Sequence, residues 1–150
     1  MSVVDRLRDL GLEVPAVPAP VAAYVPAVRS GDYVYTSGQL PMRDGQLIAT
    51  GKVGGAVTPE TGYECARQCA LNAIAAVGAQ VDLDAVRIVK VVAFVASTPD
   101  FTGQPGVANG ASELLGAAFG ELGVHARSAV GVPVLPLDAP VEVELIAEVR

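Results

Sequence analysis

Tryptophan is absent from this sequence, histidine occurs once, cysteine twice, and aromatic residues make up only 5%. So few rings give no stacking platform for single-stranded nucleic acid. Positive charge is scarce too: ten basic residues stand against sixteen acidic ones, a formal charge of -6, with no basic block longer than two residues. A phosphate backbone needs a basic stripe, so this balance argues against a nucleic-acid partner while leaving room for a local pocket that holds a small anion. His125, Cys65 and Cys69 are too few for a metal site built from imidazole and thiolate, and no metal is expected. The cysteines lie four apart, on one side of a helix. A disulfide at that spacing has poor geometry, so they read as two small apolar helix residues. No apolar run approaches the ~20 residues of a membrane span, and no signal peptide is expected ahead of the domain. A cytoplasmic, reduced protein with no membrane partner is expected.

What is present is a core. Of 150 residues, 51% are hydrophobic and 17% charged, enough for a single globular domain. Ser2–Leu10 predicts a short amphipathic helix with Val3, Leu7 and Leu10 at i, i+4 and i+7, stopped by Gly11. Glu13–Pro20, E-V-P-A-V-P-A-P, reads as an extended linker. Residues 1–20 thus form an N-terminal helix and proline-rich linker ahead of a domain at 21–150.

Within the domain, Val21–Val28 and Tyr33–Ser37 predict a hairpin around Arg29-Ser30-Gly31-Asp32, and Leu47–Thr50 a third short strand. Thr58-Pro59-Glu60 combines an oxygen cap, proline in the first turn and an acid at the positive end of the helix dipole. The helix it opens runs to about Val77 with Ala66, Cys69, Ala70, Ala73, Ile74 and Val77 inward, and Gly78 ends it. Val86–Val95 reads as a strand buried on both faces. After a loop at Ser97–Gly106, a second helix buries Ala111, Leu114, Leu115, Ala118, Phe119 and Leu122. The order β-β-(β)-α-β-α-β-β suits one mixed sheet with both helices on one face, an α+β fold. The other face then needs a cover, and oligomerisation supplies one.

Val124–Arg150 carries the candidate site. Its second half alternates strictly: Val141, Val143, Leu145, Ala147 and Val149 on one face, Glu142, Glu144, Ile146 and Glu148 on the other. Arg127–Val132 is a β-rich run with an arginine at its start, joined to the alternating strand across Pro133, Pro136 and Pro140. The two runs are expected to be neighbours, bringing together Arg127, able to hold a carboxylate, and Glu142, able to handle protons or water. A structural ion pair for Arg127 and a solvated carboxylate at Glu142 are the plainer readings, and Glu144 and Glu148 share the glutamate's face.

Five segments carry a resemblance: A-Y-V-P-A-V at 23–28, Y-T-S-G-Q-L-P at 35–41, V-K-V-V-A-F-V at 89–95, A-R-S-A-V at 126–130 and V-E-V-E at 141–144. Together they resemble the Rid family, the YjgF-type reactive-intermediate deaminases, also called the L-PSP endoribonuclease family. The resemblance implies a chorismate-mutase-like fold, a homotrimer with a central barrel of sheets, and three clefts between subunits. It implies hydrolysis of enamine or imine intermediates such as 2-aminoacrylate to 2-oxo acids and ammonia, without cofactor or metal. Arg127 would bind the substrate carboxylate and Glu142 would position or activate water. Tyr24, Ser37, Gly38, Asn109 and Ala129 would line the cleft. Three positions depart from the family pattern: Ala129 stands where deaminases often carry cysteine, His125 where proline precedes A-R-S, and Gly131 where an acid is usual. Two other functions fit the same fold: a non-catalytic trimeric binding protein for small carboxylates, and, least supported by the acidic charge, an RNA-cleaving translation inhibitor.

Overall fold

The structure, a computed structural model, describes residues 1–17 and 23–150. The chain runs α1 (Val3–Asp9), β1 (Ala27–Ser30), β2 (Tyr33–Thr36), β3 (Met42–Arg43), β4 (Gln46–Leu47), α2 (Pro59–Gly78), β5 (Val86–Ala96), α3 (Gln104–Phe119), β6 (Ala126–Val132) and β7 (Val141–Val149). Five strands make one mixed sheet in the order β1-β2-β7-β5-β6, while β3 and β4 form a separate small hairpin. Both long helices pack on one face, the expected α+β arrangement. Among the described residues, no helix is long and apolar enough to cross a membrane.

The alternation of β7 sets the two faces. Val141, Val143, Leu145 and Ala147 are buried against the helices, and Glu142, Glu144, Ile146 and Glu148 turn to the open side. β7 is antiparallel to both β2 and β5. β6 pairs with β5 in parallel, as a strand returning through the α3 crossover must. Arg127 and Glu142 are therefore not on adjacent strands, as the sequence suggested; β5 runs between β6 and β7. The proline-broken connection is not a hairpin, and the crossover helix settles which strand β6 joins.

Other expectations shift in register. β1 takes only Ala27 and Val28 of the run expected at Val21–Val28 and continues through Arg29 and Ser30; Val21 and Ala22 lie outside the described residues. Pro26, lacking an N–H, stands just before the ladder. Ser30 pairs with Tyr33, so the turn is Gly31-Asp32 alone, with φ +61° at Gly31. The third strand is not Leu47–Thr50 but Gln46–Leu47, paired with Met42–Arg43 around Asp44-Gly45, whose φ values are both positive. α2 starts on its Thr58 cap and includes Gly78, with the C-cap at Ala79. Leu122 falls in a tight turn after α3 rather than in the helix. β5 is buried on its helix face only: Lys90, Val92 and Phe94 on the other face stay partly exposed. The chain covers that face at one end, where Leu135 and Ala139 meet Leu40, Leu47, Phe94 and Val132. Elsewhere Val28, Tyr33, Tyr35 and Val130 remain exposed.

α1 docks on the domain. Ser2 and Asp5 form a capping box, Val3 and Leu7 enter the main core, and Leu10, expected inward, is exposed. The Val3 N–H donates to Asp84 Oδ1 at 2.7 Å and Arg6 Nη1 to the Ala118 carbonyl at 3.2 Å. Burying Leu7 fully is worth roughly 1.5–3 kcal/mol. Buried Asn72 donates to the carbonyls of Leu40 and Met42, tying the β3–β4 region to α2.

The two long helices approach closely at Gly110, where a Cβ would drive into the backbone carbonyl of Tyr63. Backbone cannot swing aside as a side-chain tip does. Gly110→Ala is expected to destabilise by about 1–3 kcal/mol, because overpacking outweighs the ~1 kcal/mol of helix propensity gained. Gly116→Ala on the same helix, with nothing within 4 Å, should instead stabilise by up to ~1 kcal/mol. Urea denaturation of the two variants checks the opposite signs.

Candidate functional site

The sequence-predicted residues fall into two groups on opposite faces of the sheet. The first surrounds Glu142. Just beyond β2, Gln39 bridges to β7 through two backbone hydrogen bonds with Val143, of 2.8 and 3.0 Å. This sets Gly38 over the Glu142 side chain, and a Cβ at Gly38 would collide with Glu142 Oε1. Glycine therefore makes the slot that the carboxylate occupies, which singles Glu142 out from Glu144 and Glu148. Ser37 donates its hydroxyl to the Val25 carbonyl at 2.6 Å and its N–H to the Pro26 carbonyl at 2.8 Å. It clamps the segment that carries exposed Tyr24. Glu142 is half-buried, and burial, with the like charge of Glu144 second, raises its pKa above the ordinary carboxylate value.

The second group surrounds Arg127, whose partner in the β6–β5 register is Val91, a core residue on the helix face. Its guanidinium accordingly reaches α3. Nη1 donates to Asn109 Oδ1 at 2.8 Å and to Ser112 Oγ at 3.2 Å. Two acceptors use both Nη1 protons, and no carboxylate among the described residues forms a salt bridge with Arg127. The structural ion pair is thus absent there. The Nε–Nη2 edge, the fork that suits a carboxylate, has no hydrogen-bond partner among the described residues. Ala129 lies two residues further along this face, partly buried against the core.

Ser112 carried no signal of its own in the sequence, although it stands three residues from Asn109 and so on the same side of α3. His125 joins this group: Nε2 lies 2.9 Å from Ser112 Oγ and Nδ1 2.6 Å from the Gly123 carbonyl. Gln39 was likewise unmarked, since its role is a backbone bridge.

Glu142 pairs with Phe94, and Phe94 with Val130 on β6, three residues from Arg127. Strand spacing and rise then put the two Cα atoms about 14 Å apart, with side chains on opposite faces. One subunit does not bring them together. The thiols play no part in either group: Cys65 and Cys69 are buried under α2, burial pushes Cys65 up to about 11 and Cys69 well above the ordinary thiol value, so neither is a ready nucleophile. Among the described residues no cluster of His, Cys, Asp or Glu could hold a metal ion.

The raised pKa of Glu142 carries a sign for stability. The folded chain holds that proton more tightly than the unfolded one, so stability falls as pH rises from the ordinary carboxylate value through the folded one. Glu142→Gln removes the ionisation. It is expected to melt higher than the wild type at neutral pH, with the gain vanishing below the ordinary carboxylate range; thermal melts across pH test this.

Comparisons with known proteins bear on the family and the fold. The family model described as Endoribonuclease L-PSP matches residues 15–149. Protein TCP17 of Trypanosoma cruzi is 46% identical over 99% of this chain and 94% of its own. A crystal structure of a protein of unknown function from Agrobacterium tumefaciens shares 43% identity over 99% of this chain and 93% of that one, with a TM-score of 0.92. The YjgF gene product of E. coli, 26% identical over 100% and 99% of the two chains, superposes with a TM-score of 0.67. The family match begins after α1, whereas the Trypanosoma relative aligns over nearly the whole chain. With the mixed sheet, the one-sided helices and the A-R-S and V-E-V-E strands in place, the chain belongs to the YjgF-type, L-PSP endoribonuclease family, the Rid proteins.

Proposed function

We propose that this protein hydrolyses reactive enamine or imine intermediates of the 2-aminoacrylate type to 2-oxo acids and ammonia, in clefts between the subunits of a homotrimer. The observation that carries the reading is an arginine fixed at Nη1, whose bidentate edge has no hydrogen-bond partner and which pairs with no carboxylate among the described residues. Such an edge is complementary to a small carboxylate. The intersubunit cleft follows from the separation: a substrate of a few atoms cannot span about 14 Å and a sheet, so Arg127 of one subunit must meet Glu142 of another. Tyr24, Ser37 and Gly38 then come with the glutamate, and Asn109 and Ala129 with the arginine. Covering the open faces in a central barrel would also bury Val28, Tyr33, Tyr35 and Val130.

The chemistry asks little of the protein. Once the enamine has become the imine, its carbon is electrophilic and Arg127 holds the adjacent carboxylate. Glu142, as carboxylate, takes a proton from water as the oxygen–carbon bond forms, and the C=N electron pair moves to nitrogen, which takes that proton back from Glu142. The carbinolamine then passes its hydroxyl proton, through the same carboxylate, to nitrogen; the C=O bond forms as the C–N bond breaks, releasing ammonia and the 2-oxo acid. Orientation supplies much of the rate, since the reacting atoms are already matched.

A second reading keeps the cleft without the turnover: a trimeric binding protein for small carboxylates. Ala129 favours it, for the thiol that deaminases often carry beside the arginine is missing. The RNA-cleaving role fits less well with a formal charge of -6, which suits a small anion better than a polyanion.

Turnover of freshly generated 2-aminoacrylate, followed as pyruvate release, separates the readings. Acceleration that Arg127→Ala abolishes is expected; none at all would leave the binding protein, detected as pyruvate affinity that Arg127→Ala destroys. Glu142→Gln should lower kcat about 10²–10⁴-fold. The wild-type rate should rise with pH along an acid limb set by the raised Glu142 pKa. Glu144→Gln, by removing the second cause of that shift, should move the limb to lower pH.

A further inference from the structure

We infer that Ser112 and His125 form a positioning relay that holds Arg127 for side-on capture of the substrate carboxylate, an inference that rests on the anion-binding reading of Arg127. The chain of hydrogen bonds has one direction. The Gly123 carbonyl, 2.6 Å from His125 Nδ1, can only accept, so Nδ1 carries the hydrogen. In the neutral ring Nε2 is then an acceptor and takes the Ser112 hydroxyl proton across 2.9 Å. With its own proton committed, Ser112 Oγ presents lone pairs to Arg127 Nη1, 3.2 Å away. Asn109 Oδ1 takes the other Nη1 proton at 2.8 Å.

Each link does something the next one needs. A serine hydroxyl rotates freely and could equally well donate away from the arginine; the imidazole acceptor removes that choice. A guanidinium tethered by two acceptors at one nitrogen cannot turn about its own plane. The Nε and Nη2 protons are therefore held together on the edge away from those acceptors, and a carboxylate meets two parallel N–H groups rather than one. Three separate pieces of chain supply the relay: α3, the turn after it, and the start of β6. His125 stands where the family pattern has proline, which has no side chain able to accept a proton. The relay is thus a property of this chain's own residues. Ser112 and His125 act through Arg127 and need not touch the substrate.

A relay and a merely structural pair respond differently. In pyruvate calorimetry and 2-aminoacrylate turnover, Ser112→Ala should weaken affinity and raise KM about tenfold, the worth of one hydrogen bond to a charged group, with kcat nearly unchanged. Ser112→Thr should restore both. His125→Ala should give a smaller loss, and the double variant no more than Ser112→Ala alone, because the two act in series. A loss of folded protein would instead lower apparent kcat and leave KM alone. If Arg127→Ala abolishes pyruvate binding but Ser112→Ala does not change it, the relay is wrong and the anion site stands. If wild-type binding is absent or does not depend on Arg127, the anion-binding reading fails, and ligand-free ¹⁵N spectra decide the relay. Separate Arg127 Nη resonances that merge in Ser112→Ala, with an unprotonated His125 Nε2, support it; merged resonances in the wild type, or a proton on Nε2 rather than Nδ1, overturn it.

Discussion

Everything in this structure depends on the alternation of β7. Its valines, leucine and alanine fill the space under α2, and its glutamates are thereby committed to the opposite face. A one-residue slip would put three carboxylates into the core, a penalty no other contact in so small a domain could offset. Because β7 is hydrogen-bonded on both sides, to β2 and to β5, the same alternation fixes which side chains of those strands face the helices. The position of Glu142 is a consequence of core packing before it is a matter of chemistry.

That strand was also what the sequence revealed best, for a physical reason. Period-2 alternation is local and needs no knowledge of partners, and the same holds for the Thr58-Pro59 start of α2 and the inward stripe of α3. Pairing is not local. The proline-broken link between β6 and β7 suggests proximity, yet β6 enters the sheet through the α3 crossover and takes the outer side of β5. The short hairpin at Met42–Leu47 was masked by an apolar run that continues past its end, although Asp44-Gly45 carried the turn signal. α1 was recognisable as a helix, but only the structure shows Val3 and Leu7 sharing the core.

The site was legible to the same degree. Arg127 and Glu142 stood out by residue type and by resemblance, but three equivalent glutamates share one face of β7, and nothing in the period separates them. The separation comes from Gly38, whose missing side chain opens a slot over one of the three. The partners of Arg127 are a tertiary matter as well: Asn109 came from resemblance, while Ser112 became meaningful only once α3 lay beside β6.

The two half-sites have complementary defects. On one face a guanidinium has amide and hydroxyl partners but no counter-charge among the described residues; on the other a carboxylate is half-buried, its pKa pushed up by burial and a like-charged neighbour. A protein selected for stability alone would pair or expose such groups. Neither group can relieve the other within one chain, since β5 and the plane of the sheet lie between them. Each is therefore held in a state of unmet demand, the cation for an anion and the carboxylate for a proton. Under the proposed function, a water and a small anionic imine would answer both demands at once if two subunits brought the faces together. On the proposed reading these unmet demands are what would bind and orient the reactants, and the frame of β7, Gly38, Asn109 and Ser112 holds the two groups in place for them.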